Sequence, residues 1–237
     1  MRRRQHGQLR RVLKLRSVPD DTTRYRFRKR RDDQNIDQAL GEAARRLGTV
    51  GGRRRHRARV AVDATGRAPG TAISTFFVRR SDPHRNQPLP WRHGLPWLAV
   101  VDLERQLILA PAARRGPWND GARLPPLLEA ARHAAGLGQV LADTAFDSER
   151  NHAYVRQQLR ARSLIPAQRG QKSWRIHGVR AAMRRAFLRR QYSRRALLET
   201  LFSTVKRKLS ARAPGRSLFL QACQALLLGL AYHLSRL

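Results

Sequence analysis

Apolar and polar positions divide the chain near residue 57. Residues 1–57 are polar and dense in arginine, broken by Gly48, Gly51 and Gly52. Within them Pro19 marks a turn, Asp20 to Thr23 the entry of one helix, and 35–47 a second helix with Ile36, Leu40, Ala44 and Leu47 near one face. From residue 58 short apolar runs take over. ARVAVDA (58–64) and TAISTFFV (71–78) predict two strands, and LPWLAVVD with QLILAPA (95–112) a hairpin turning at Leu103 to Arg105. A helix over 125–136, a strand over 139–144, a helix from Asp147 to Arg162 and a short strand over 163–167 follow. After the loop RGQKSWRIHG the remainder reads as helical, apart from 213–217.

Early strands followed by alternating helix and strand predict an α/β fold, a mixed sheet with flanking helices. It is preceded by a short basic helical N-terminal region, so the division is 1–57 and 58–237. The 41% of hydrophobic residues can fill a core of that kind. Charge changes the picture more: 50 Lys+Arg against 16 Asp+Glu give +34, which points to a polyanion as partner. Nearly all of the basic residues are arginine, which also fits a GC-rich coding bias. The basic runs at 26–31 and 53–59 suit a solvated face or contact with phosphates. Cys223, the single cysteine, excludes an intramolecular disulfide and a cysteine-based zinc site. The N-terminus lacks the apolar centre of a secretory signal. The apolar stretch from Ser217 to Leu237 carries Gln221, Gln224, His233 and Arg236, and reads as a buried helix rather than a membrane span. The expectation is a cytoplasmic protein without a membrane partner.

Five acids lie inside apolar runs, where an unpaired carboxylate is costly: Asp63, Asp102, Glu129, Asp143 and Glu199. Asp102 opens the hairpin turn, and Glu129 reaches solvent from an amphipathic helix. Asp63 and Asp143 each end an apolar strand, the edge beyond which ligands gather in open α/β sheets. Singly, each also reads as a strand-end turn former. Together they would repel unless a cation lay between them, which suggests a hard divalent metal held by oxygens. Asp147, four residues beyond Asp143, reads as the cap of the next helix, or as the partner of Thr144 in a capping box.

At about 100° per residue, Tyr192, Arg195, Glu199 and Lys206 share one narrow helical stripe. Leu198, Leu201, Phe202, Val205 and Leu209 form a separate apolar face. Such a helix packs on the sheet with one flank and presents a carboxylate among Tyr, Arg and Lys on the other. The alternative is a surface Arg195–Glu199 pair, worth only about 0.3 kcal/mol.

The segment YSRRALLETLFSTVK, with Tyr192, Arg195, Glu199 and Lys206, resembles the Tyr-Arg-Glu-Lys signature of DDE transposases of bacterial and archaeal insertion sequences, in the insertion-sequence 4/5-like group. VAVDATG around Asp63 and VLADTAFDSERN around Asp143 resemble the first and second aspartate blocks of that family. RRGPWNDGARLPPLLEAA resembles its Gly-x-x-x-Asp stretch and LGLAYHLSRL its closing helix. Family members carry a longer helical region ahead of the block at 11–30, so the resemblance implies a shortened DNA-end-binding part within 1–57.

The resemblance implies an RNase H-like catalytic core with two Mg²⁺ ions, Mn²⁺ being a plausible substitute. Asp63 would bridge both ions, while Asp143 and Glu199 would each complete one. Tyr192, Arg195 and Lys206 would hold phosphates near the cut. The partners would be double-stranded DNA, as terminal inverted repeats and as target, and a second copy of the chain in the DNA complex. The reaction would be hydrolysis at the element's ends followed by strand transfer. Two other functions fit the same residues: a DNA-binding remnant that represses transposition, and an RNase H-like nuclease that cuts without joining.

Overall fold

The computed structural model describes residues 20, 22–23, 26, 30, 33–49, 57–69, 95–113, 120–168, 177–209, 212–213 and 218–235. The expected strand at 71–78, most of the loop at 169–178, and most of both basic runs lie outside the described residues. By contacts the chain forms two units, 1–32 and 33–237. In the first, the Asp20 carboxylate accepts a hydrogen bond from the Thr23 amide at 2.5 Å, the expected helix entry.

The second unit opens with helix α1 (Asp33–Thr49). The sequence reading assigns this helix to the N-terminal region ending at residue 57, whereas its contacts belong to the sheet unit, because Leu40 and Ala44 are buried in it. Five strands follow: β1 (Ala58–Pro69), β2 (Leu95–Asp102), β3 (Leu107–Ala113), β4 (Leu137–Ala142) and β5 (Arg162–Leu164). Their order across the sheet is β3-β2-β1-β4-β5. β1 pairs antiparallel with β2 and β2 with β3, while β1, β4 and β5 run parallel. The result is the mixed α/β sheet flanked by helices that the alternation of runs predicts. The hairpin turns as expected: the Asp102 carboxylate accepts from the amides of Glu104 (2.9 Å) and Arg105 (3.1 Å).

Strand alternation sorts the side chains into two layers. Val60, Val62, Val140 and Ala142 point to one face, covered by helix α2 (Leu124–Arg132) and by helix α3 (Glu149–Ala153), which continues as a π-helical turn over Tyr154–Gln158. Ala61, Leu141, Ala99 and Val101 point to the other, joined there by Leu198, Leu201, Phe202 and Val205. These four come from helix α6 (Ala196–Lys208), reached through α4 (Gly178–Arg185), α5 (Arg189–Tyr192) and a 3₁₀ turn at Ser193–Arg195. Trp97 is fully buried and meets Phe202 with ring centroids 5.3 Å apart. A two-residue strand β6 (Arg212–Ala213) pairs with the far end of β1.

Helix α7 (Leu218–Leu234) closes the unit against α1 and β3. A Cβ at Gly229 would lie 2.7 Å from Leu40 Cδ1, so the two helices approach closely there. The buried His233 accepts a hydrogen bond from the Ile108 amide at 2.9 Å. α7 is thus the buried helix expected of 217–237, and no described helix is long and apolar enough to cross a membrane.

Three expectations shift at element ends. The strand read over 139–144 stops at Ala142, because Asp143 turns to cap the 3₁₀ turn Thr144–Phe146. The helix read from Asp147 to Arg162 starts at Glu149 and ends by Gln158, and Arg160 then takes a left-handed φ of 49°. The continuous helix read through Tyr192 and Glu199 is interrupted at Ser193–Arg195. There the Ser193 hydroxyl donates back to the Arg190 carbonyl at 2.9 Å, an alternative partner for the helical backbone.

Candidate active site

The site lies where β1 and β4 part. Their pairing ends at Val62 opposite Ala142, and the next residue on each strand is an aspartate. Asp63 shares the side of Ala61, and Asp143 that of Leu141, so strand alternation aims both carboxylates at the face that α6 covers. Each is fixed by its own following backbone. The Ala64 amide donates to Asp63 Oδ1 at 2.8 Å, and the Thr144 amide to Asp143 Oδ1 at 2.5 Å, with the Thr144 hydroxyl adding a bond at 3.1 Å. The Oδ2 atom of each is thereby left to face outward from the strand ends.

Arg195 meets both. Its Nη2 stands 2.7 Å from Asp63 Oδ2 and 3.4 Å from Asp143 Oδ2, and its Nη1 lies 3.4 Å from Glu199 Oε1. One guanidinium therefore binds three carboxylates drawn from β1, the end of β4 and the first turn of α6. The Arg195–Glu199 contact anticipated as a surface pair does exist, but as one arm of this bridge. The side chains of Asp63 and Arg195 are largely buried, whereas Glu199 is exposed.

Three carboxylates against one guanidinium leave the cluster with an excess of negative charge. Burial pushes the Asp63 carboxyl above its ordinary range, against the pull of Arg195 and the Ala64 amide, and Asp143 pushes the same way. Burial opposes the charge on Arg195, yet Asp63, Tyr192 and Asp143 together hold it firmly protonated. Tyr192 is half-buried against Phe187, ring centroids 5.1 Å apart. Burial raises its phenol, Arg195 opposes the rise, and all three acids reinforce it, so Tyr192 lies within their field. Lys206 stands two turns beyond Glu199 on α6, partly exposed. The fold thus brings Asp63, Asp143, Glu199, Arg195 and Tyr192 together.

Among the described residues no group of three or more His, Cys, Asp or Glu is close enough as it stands to hold one ion. The donor set nonetheless fits a divalent cation: oxygen ligands from three carboxylates, net negative, two of them in fixed orientation and already gathered around a positive group.

Two polar arrangements around the site were not legible as motifs. Gln139, buried on β4, accepts from Arg59 Nε at 2.7 Å and donates to the Gln191 side chain at 2.9 Å, tying the start of both central strands to α5 one residue before Tyr192. Asp147 is not a helix cap; the Ser148 hydroxyl takes that place by accepting from the Asn151 amide at 3.2 Å. Asp147 is instead buried, with Arg180 Nε at 2.9 Å from Oδ1 and Nη2 at 2.7 Å from Oδ2, and the Gln168 amide at 2.9 Å. His152 Nε2 stands 3.6 Å from Oδ1. Burial would raise Asp147, but His152, Arg180 and the Gln168 amide outweigh it and hold the carboxyl well below its ordinary range. The one sequence signal for this clamp is the second acid of DTAFD.

Residues 54–234 match the family model of a transposase DDE domain. Among solved structures, one similar chain comes from a Mos1 transposase paired-end complex with left transposon end, at 12% identity and a TM-score of 0.31, covering 67% of this chain and 53% of that one. Another comes from a pre-cleavage Mos1 transpososome, at 9% identity and a TM-score of 0.32, covering 98% of this chain and 73% of that one. The chain thus spans about half the length of the first of these. No curated protein matches significantly.

Proposed function

The chain belongs to the transposase DDE-domain family, and from that premise we propose that it is a metal-dependent transposase of the insertion-sequence group bearing the Tyr-Arg-Glu-Lys signature. It cleaves DNA at the ends of its element and joins the freed 3′ ends to target DNA. The observation that carries this reading is the convergence of Asp63, Asp143 and Glu199 on the one guanidinium of Arg195 at the parting of β1 and β4.

In this reading the three carboxylates would hold divalent ions, Mg²⁺ with Mn²⁺ as substitute. The chemistry such ions would supply when bound is activation of the attacking oxygen and stabilisation of the leaving one. The residues contribute the rest. The backbone bonds to Oδ1 of Asp63 and Asp143 set both carboxylates before any ligand arrives. Glu199 stands in the first turn of α6, where the helix dipole favours its negative charge. Arg195 neutralises part of the cluster, and its planar guanidinium would offer bidentate contact to a DNA phosphate beside it. Tyr192 and Lys206 flank it as a hydroxyl donor and a point charge. Residues 1–57, with their basic runs, serve DNA binding, and two copies of the chain act together on the paired ends in the cytoplasm.

The test is a cleavage and joining assay with Mg²⁺ on duplexes that carry the inverted repeats flanking the gene. The wild-type chain should nick and join them. Asp63→Asn should abolish both while leaving DNA affinity unchanged or higher, since it removes a negative charge facing phosphate. Cleavage near the wild-type rate in this variant would place the chemistry elsewhere. Cleavage without joining by the wild-type chain would favour a nuclease.

A further inference from the structure

The segment from α4 to the 3₁₀ turn has two distinct sides. Its inward side repeats every fourth residue. Met183 and Phe187 pack on the sheet-side core, Gln191 bonds to Gln139, and Arg195 reaches the acids. The outward side carries Arg184, Arg185, Arg189, Arg190 and Arg194, all exposed. Among the described residues none of these five meets an acid, whereas the inward-facing Arg180 and Arg195 are both ion-paired. α4 itself buries no residue, so packing against the core does not account for its outward cations.

α4 is also held firmly in place. Arg180 is clamped to Asp147, and the Val179 amide donates to Glu149 Oε1 at 3.3 Å. Gly178 makes that approach available: its φ is +58°, and a Cβ there would lie 2.5 Å from Glu149 Oε1. Two acids in the turn and helix that follow β4, Asp147 and Glu149, thus anchor a helix whose exposed charges are all cationic. A row of guanidiniums on an anchored backbone, with no acid partner among the described residues and ending one residue before Arg195, is a surface suited to phosphates.

We infer that Arg184, Arg185, Arg189, Arg190 and Arg194 form a ridge that binds the backbone of duplex DNA and leads one strand to the acid cluster. The duplex, rather than a single strand, follows from what the ridge lacks. Single-strand platforms stack bases on outward aromatics, whereas Phe187 and Tyr192 of this segment turn inward and pack on each other. Leu188 is the one large apolar side chain exposed between the arginines. The ridge reads no sequence, so it acts alike on element ends and on target DNA. This inference rests on the transposase reading for its substrate, but its test does not need catalysis.

The experiment measures affinity for a random 30-base-pair duplex across a salt series. Arg185→Gln, Arg189→Gln and Arg190→Gln together are compared with Arg150→Gln, Arg160→Gln and Arg162→Gln, three exposed arginines on α3, on the turn before β5 and on β5. Each phosphate contact contributes about 0.9 to the slope of log affinity against log salt, so the ridge triple should flatten it by about 2.7 and the control triple by much less. Restoring charge with lysine at the same three positions should recover most of the slope. The three single variants, each expected to flatten it by about 0.9, carry the test should the triple fold poorly. Equal losses from ridge and control triples, or none from the ridge, would overturn the inference. A flattened slope only with a single-stranded or RNA probe would also overturn it. A ridge that behaves as stated in a chain that never nicks DNA would instead refute the catalytic reading and leave the ridge standing.

Discussion

Asp147→Ala removes the carboxylate that joins the turn after β4 to helix α4. The Asp147 side chain has 0% exposure and that of Arg180 12%, so the pair is buried on one side and nearly so on the other. Two hydrogen bonds from the guanidinium and one from the Gln168 amide are lost together. Breaking a buried ion pair by deleting one partner costs about 3–5 kcal/mol, because the remaining charge keeps its desolvation penalty. Arg180 lies on a helix without buried residues and can turn its head to water, which favours the lower end, about 3 kcal/mol. For a chain of this size 1 kcal/mol shifts Tm by about 2–4 °C, so Tm should fall by about 6–12 °C. The loss of a helix cap would cost only about 1 kcal/mol, and hence about 2–4 °C. Differential scanning calorimetry distinguishes the two, and a shift under 4 °C would show that the pair does not hold α4. Asp143→Ala is the internal contrast: it removes a half-exposed carboxylate that caps only a 3₁₀ turn, so Tm should fall by no more than about 2–4 °C, the cost of a lost cap, while cleavage is lost. The same residue predicts a pH dependence. The Asp147 carboxyl is depressed in the folded state, so its stabilisation is full above the unfolded value of about 3.9 and fades as pH falls towards the folded value. Asp147→Asn should therefore lose less stability than wild type between about pH 4 and pH 2.

Two further perturbations test the site and its support. Exchanging Glu199 and Thr200 keeps composition but turns the carboxylate by about 100° around α6, away from Arg195, so a folded protein without cleavage is expected. Circular dichroism and a plasmid-nicking assay read the two outcomes, and retained nicking would reduce Glu199 to a surface ion pair. Gly229→Val forces a side chain into the contact between α7 and Leu40 of α1, which should cost about 1–3 kcal/mol in a denaturant titration. An unchanged midpoint would mean that α1 does not pack on the sheet unit as described.

Much of the architecture was legible locally. The apolar runs at 58–64, 95–112 and 139–144 became β1, β2, β3 and β4, and the apolar face of 198–205 became the buried flank of α6. These elements follow from period-2 and helical repeats, which are properties of neighbouring residues. The candidate acids were legible too, since an aspartate ending an apolar strand stands out from its context, and the signature spacing around Glu199 tied it to them. Tertiary structure decided what those residues touch. Arg195 lies four residues from Glu199, and that pair was visible in the sequence, but its nearer partner is Asp63 on β1. Asp147 read as a helix cap because Thr144 and the next helix were its only visible neighbours; its true partner, Arg180, belongs to a helix formed much later in the chain. The helix at 33–49 looked like part of a polar N-terminal arm until Leu40 met Gly229 across the fold. Backbone preference and periodicity are set by adjacent residues, and so the sequence determined which elements form. Charge pairing and close approach depend on distance in space, which only the parting of β1 from β4 and the crossing of α6 over the sheet decided.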